Sequence, residues 1–134
     1  MKTLQLSKPV KPALLVALIT LTLGCGYSKN SMAVQPGTMP AISQLNPASA
    51  AAGASLPFEV DGTNFAGNAV INFNGMAQPT TVVSSIKLEA TVPATALMNA
   101  GTVPVTVTNP AVSGGMYGGG TMAATSSPMS FTIN

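Results

Sequence analysis

From residue 41 to the end of the chain, apolar residues recur at every second position in short runs. Leu56, Phe58 and Val60 alternate with polar or turn residues in SLPFEVDG, and Ile71 and Phe73 do so in VINFNG. Leu88, Ala90 and Val92 alternate in KLEATV, Val103, Val105 and Val107 with Pro104, Thr106 and Thr108, and Phe131 with Ile133 in SFTIN. Successive side chains of a strand point to opposite faces, so each run turns one face to a core and leaves Thr, Asn or Glu to water. Between the runs lie turn residues. Asp61-Gly62 and Asn74-Gly75 accept positive φ and predict tight turns. Pro79 and Pro104 cannot donate to a ladder, which predicts positions at a sheet edge or a strand start. No segment keeps a helical period; residues 94–99, ATALMN, predict at most one helical turn. The whole pattern is that of an all-β sandwich or barrel, with Phe58, Phe65, Phe73 and Phe131 expected in its core.

The first 40 residues follow a different plan. Lys2, Lys8 and Lys11 precede an apolar stretch of 11 residues, ALLVALITLTL, which ends at Gly24-Cys25. A basic segment, a short apolar segment and a small residue at the end define a secretory signal peptide. A helix rises about 1.5 Å per residue, so this stretch reaches only about half-way through a bilayer core. Residues 1–24 are therefore expected to be a signal peptide removed on export. Residues 26–40, GYSKNSMAVQPGTMP, are polar and broken by Pro and Gly, which predicts a flexible tether with an r.m.s. reach of roughly 20 Å. A single domain over residues 41–134 would follow.

Composition sharpens this division. Of 134 residues only 6% are charged and 46% are hydrophobic, too apolar a mixture for a chain disordered throughout. Without the leader, Lys29 and Lys87 stand against Glu59, Asp61 and Glu89. With no arginine and no cluster of lysines, the chain lacks the charge that binds nucleic-acid phosphates. Cys25 is the only cysteine, so no disulfide can form within the chain.

Two resemblances add to this reading. The Gly24-Cys25 junction resembles a bacterial lipobox, although the Leu and the small residue usual at three and two positions before the cysteine are here Thr22 and Leu23. The resemblance implies that Cys25 becomes the first mature residue and carries lipid. Each buried methylene of such chains contributes about 0.8 kcal/mol, so several chains anchor a protein stably. The alternatives are ordinary cleavage nearby, leaving a stray thiol, and a secreted, non-lipidated binding protein. Sorting habits of lipoproteins, with Gly26 and not Asp after the cysteine, imply a cell-envelope location, the outer membrane where a second membrane exists.

The second resemblance spans residues 40–133. Pro40, Ile42, Leu45, Pro47 and Gly53 are followed by Val60-x-Gly62-x-Asn64-Phe65, then Val70-x-Asn72-Phe73-Asn74-Gly75 and Leu88-x-Ala90-x-Val92-Pro93. The series closes with Gly101-x-Val103-x-Val105-x-Val107-x-Asn109-Pro110 and Ser130-Phe131-x-Ile133. In order and spacing these resemble an IPT/TIG domain. That implies an immunoglobulin-like β-sandwich of the E-set type, serving as a binding or structural module. The departure is residues 110–129, PAVSGGMYGGGTMAATSSPM, where such domains are usually short; the Gly, Ser and Met content predicts a long mobile loop.

The inventory offers little chemistry. With no histidine, Ser-His-Asp and Cys-His sites are impossible. Ser84-Ser85-Ile86-Lys87 spells SxxK, but its companion motifs are missing and a solvated strand start is expected. Glu59, Asp61 and Asn64 offer oxygen ligands for calcium, against the simpler reading of a turn. Met116, Met122 and Met129 offer soft sulfur for Cu(I) at irregular spacing. Gly118-Gly119-Gly120 lacks the lysine and helix of a phosphate loop. No cofactor and no enzymatic activity are expected. The expected partners are a membrane, through Cys25, and a protein or glycan bound by loop residues such as Met116 and Tyr117. A carbohydrate-binding accessory module is the alternative, and Tyr117 is the only domain residue suited to stacking on a sugar.

Overall fold

The computed structural model describes residues 34–116 and 118–134. Their strands form two sheets facing one another, the sandwich that the alternation predicts. The first sheet orders its strands β1 (Ala41–Asn46), β3 (Leu56–Thr63), β7 (Lys87–Val92) and β6 (Thr80–Ser84), each antiparallel to its neighbour. The second orders β2 (Ser49–Ala50), β10 (Met129–Ile133), β8 (Gly101–Asn109), β4 (Val70–Phe73) and β5 (Met76–Ala77), with β9 (Ala124–Thr125) also on β8. Only β2 and β10 run parallel in this second sheet.

The alternating residues form the core. Phe58, Val60, Leu88, Ala90 and Val92 from the first sheet meet Ile71, Phe73, Val105, Val107, Phe131 and Ile133 from the second. Phe58 lies edge-on to Phe73 and Phe131, with centroids 5.8 and 5.4 Å away, and those two lie 5.1 Å apart. Such edge-to-face pairs add about 0.5–1.5 kcal/mol to the burial of the rings themselves. All four phenylalanines are buried, as expected. The helical turn expected over 94–99 is a short 3-10 helix, Ala94–Leu97, whose Leu97 is buried.

Several turn assignments shift. Asn74 and Gly75 both have positive φ, 51° and 81°, and close the two-residue β4–β5 hairpin as predicted. Asp61-Gly62 is not a turn: β3 runs on to Thr63, and the positive φ falls on Asn64 at 62°. Pro79 sits just before β6, as a strand start requires. Pro104 is instead inside β8, between β10 and β4, one residue beyond the last β4 rung; its carbonyl accepts the Asn74 N–H at 2.8 Å, and in an antiparallel ladder its missing N–H faces the same side, past the end of β4. Ser84 closes β6 and Ser85-Ile86 form the β6–β7 hairpin turn, so SxxK straddles a hairpin where a strand start was expected.

The chain before the domain and the long loop also differ from expectation. Residues 34–40, assigned by sequence to the flexible tether, bond to the domain: Gln35 N–H donates to Gly120 O at 2.9 Å, and Gln35 O accepts from Met122 N at 3.0 Å. Within 110–129, Val112 and Thr121 exchange two backbone hydrogen bonds of 3.0 and 2.9 Å. Gly115 and Gly118 pair beneath the tip, and β9 and the first residue of β10 complete the stretch. The mobile loop expected there is thus a folded hairpin. Its glycines, read in sequence as a sign of mobility, let its two arms close: a Cβ on Gly114 would strike the Gly119 backbone.

Candidate functional site

Two surfaces gather the residues singled out by sequence. The first is the end of the sandwich where the chain enters the domain. Val60-x-Gly62-x-Asn64-Phe65 builds it. Gly62 has no side chain because none fits: a Cβ would strike Ala41 O on β1 and lie 2.5 Å from the Phe65 ring. The bare strand lets β1 close on β3 and lets Phe65 fold back over the strand end. Asn64, in the left-handed conformation, makes that reversal; Asn tolerates it better than most non-glycine residues. Asn109 fixes the result. Its amide nitrogen donates to Thr38 O and Asn64 O, each at 2.8 Å, and its Oδ1 accepts the Ala66 N–H at 2.9 Å. Asn64 Nδ2 donates in turn to Met39 O at 3.3 Å. Two asparagines therefore bind residues 38–39 to the loop that follows β3.

Gly75, Pro93, Pro110, Phe73 and Phe131, the remaining sequence-derived positions of the fold, serve structure. Gly75 is in the β4–β5 turn, Pro93 precedes the 3-10 helix and its carbonyl accepts from Ala96 N at 2.9 Å, and Pro110 follows β8. Residues 1–33, which include Cys25 and the segment expected to be a signal peptide, and Tyr117 lie outside the described residues. Met116 is 93% exposed on the hairpin, whereas Met129 packs against the core in β10, so the three methionines proposed for Cu(I) do not share one environment.

Sequence reasoning missed Gln35, Thr38 and Ser126. The first two act through backbone atoms and leave no side-chain signal. Ser126 fills the gap between β9 and β10: its N–H donates to Val107 O at 2.8 Å and its Oγ accepts from Val107 N at 3.0 Å.

The second surface is the outer face of the four-stranded sheet. Every acidic residue of the chain is here, since Glu59, Asp61 and Glu89 alternate with buried neighbours on β3 and β7. Glu59 stands directly opposite Glu89, with Asn46 and Thr81 continuing the row across all four strands. These residues line a shallow open depression together with Pro47 and Pro57. Like charges opposite each other repel, and Lys87 offsets this: its Nζ is 2.8 Å from Glu59 Oε1 and 3.6 Å from Asp61 Oδ1. The hydrogen bond from Lys87, with its positive charge, holds the Glu59 carboxyl below its ordinary value of 4.5. The hydrogen bond to Glu59 raises the Lys87 ammonium above 10.5. Among the described residues no group of three His, Cys, Asp or Glu side chains is placed to hold a metal ion. Glu59 and Asp61 share a lysine, and the Asn64 amide turns to backbone.

This pair predicts a pH dependence. The lowered Glu59 pKa means its contribution to stability is present above pH 4.5 and is lost as pH falls through the folded value. The raised Lys87 value adds a contribution present below pH 10.5 and lost above it. Lys87→Met should move the Glu59 carboxyl back up toward 4.5, as read by carboxyl-carbon NMR titration. An unchanged Glu59 midpoint would show that the pair is not formed in solution.

The fold and its motifs are matched by the IPT/TIG domain family model over residues 40–132. This chain belongs to the IPT/TIG family. The Gly62, Asn64, Phe65 and Asn109 arrangement is thus how this IPT/TIG domain closes one end of its sandwich. Among solved structures, the chain is similar to a crystal structure described as a "putative phosphatase" from Bacteroides thetaiotaomicron. Identity is 21% and the TM-score 0.47, covering 75% of this chain and 19% of that one. No curated protein matches this IPT/TIG chain.

Proposed function

We propose that this chain is an exported bacterial cell-envelope lipoprotein that presents its single IPT/TIG domain as a non-catalytic binding or structural module. IPT/TIG domains are immunoglobulin-like modules that commonly bind or support. The observation that carries the rest is Cys25, the only cysteine, set directly after a basic and then apolar leader. A lone thiol in an oxidising compartment is otherwise a liability. The domain's own chemistry supports the non-catalytic part. A lysine base needs a depressed pKa, and burial or a second cation to depress it, whereas Lys87 is partnered by two carboxylates and raised. Stacking on sugar has little support from the four phenylalanines, which are all buried.

The test is intact-mass analysis of protein extracted by detergent from the membrane fraction, beside Cys25→Ser. The expected result is a chain starting at Cys25 with added lipid mass, and loss of that mass and of membrane association in the variant. An unmodified soluble chain would remove the lipoprotein reading and leave a freely diffusing binder.

A further inference from the structure

The end of the sandwich where the chain enters carries an unusual surface. Nine large apolar side chains are exposed among the described residues, and six of them sit here: Val34, Met39, Ile86, Val112, Met116 and Met122. Backbone bonds join the elements that carry them. Gln35 lies between Gly120 and Met122, Val112 pairs with Thr121, and Ile86 O accepts from Gly62 N at 2.9 Å. Val34, Val112 and Met122 line one shallow depression. Residues 34–40, 62–69 and 109–126 contain no charged residue. Lys87, which follows Ile86, is held by Glu59 and Asp61 on the outer sheet face, so burying residues 34–40 and 109–126 desolvates no formal charge, the largest cost that opposes removal of a surface from water.

We propose that this uncharged apolar end is a membrane-contacting tip, which seats the domain on the bilayer surface that holds its anchor. The inference rests on the lipid anchor at Cys25. Val34 is itself part of the patch, and residues 26–33 are all that separate it from Cys25. A chain spans at most ~3.3–3.6 Å per residue, so the patch stays within about 30 Å of the lipid. The opposite end, with Met98 after the 3-10 helix, is turned away from this exit. Thioether and branched side chains at the tip of a hairpin suit shallow insertion at the headgroup boundary, where peptide groups still reach water. With no lysine or arginine in residues 34–40 and 109–126, and Lys87 paired with two carboxylates, the contact does not depend on anionic lipid or on low salt.

The test uses the mature membrane-extracted protein, reconstituted into phosphatidylcholine vesicles after its lipid mass is verified. An environment-sensitive fluorophore is attached through Met116→Cys, Met122→Cys or, as the control, Met98→Cys. All three positions are exposed, so the fold is retained. Brominated phosphatidylcholine should quench the labels at 116 and 122 several-fold more than the label at 98, equally in 0.1 M and 1 M salt. Equal quenching at all three positions would overturn the contact while leaving the anchor intact. A blue-shifted label that brominated lipid does not reach would mean that protein covers the tip, such as a second copy of the chain, and would overturn it too. A chain without lipid mass would overturn the anchor reading and this inference together.

Discussion

Phe73→Ala is expected to destabilise the domain by about 3–5 kcal/mol, the largest effect of any single replacement considered. Phe73 has no exposed surface and touches the inner faces of both sheets, edge-on to Phe58 from the first and Phe131 beside it in the second. Alanine removes the transferred ring and leaves a hole that rigid strands close only in part. Two edge-to-face contacts vanish with it. For a domain of this size each kcal/mol lowers Tm by ~4–8 °C, so a drop of about 12–40 °C is expected by calorimetry or circular dichroism. Small domains have net stabilities of about 5–15 kcal/mol, so the variant stands near the limit of folding. Phe73→Leu, which keeps most of the volume, should lose less than half as much. Equal losses for the two variants would show that the edge-to-face geometry of the rings, and not the volume they fill, carries the stabilisation.

Asn109→Ala should rank second, at about 2–4 kcal/mol: a buried group left without a partner costs ~1–3 kcal/mol, and water replaces part of that for these three part-buried bonds. Asn109 is 5% exposed and its amide serves three backbone groups at once: Thr38 O, Asn64 O and Ala66 N. The two carbonyls need donors and the N–H needs an acceptor, which fixes which way round the amide lies. Asp at this position keeps the acceptor for Ala66 but sets a carboxylate against two carbonyl oxygens, and so should be no better than alanine. The loss has a local signature. Hydrogen exchange at Gln35 and Met122, whose backbone groups bond to each other, should accelerate before the ladder between β3 and β7 does. A uniform acceleration through both sheets would mean that Asn109 supports the whole sandwich and not the attachment of residues 34–40 in particular.

The site residues were legible in sequence to different degrees. Gly62, Asn64, Phe65 and Asn109 are visible as a motif, yet the turn inferred from Asp61-Gly62 is in fact a strand. A glycine next to aspartate has the same local appearance whether it is needed for positive φ or for a close approach of β1 and a phenylalanine ring. Only the neighbour, Ala41 O, distinguishes the two. Strand β6 was missed for a related reason. TTVVS lies at a sheet edge, where Val82 alone among its apolar residues packs against the core, so one buried position stands where a period of two needs several. Glu59 and Asp61 were readable as outward-facing, but their sharing of Lys87 follows from the register of β3 on β7.

The sequence by itself determined the β architecture, the identity of the core and the Asn74-Gly75 hairpin. Each is written in local period or local backbone preference, which need no knowledge of distant residues. Tertiary structure alone decided that residues 34–40 belong to the domain and that the Gly- and Met-rich stretch is a hairpin. Those outcomes rest on backbone-to-backbone bonds, such as Gln35 with Gly120 and Met122, and on one amide reaching 71 residues back to Thr38. Backbone groups are the same in every residue, so the sequence carries no mark of which ones will meet.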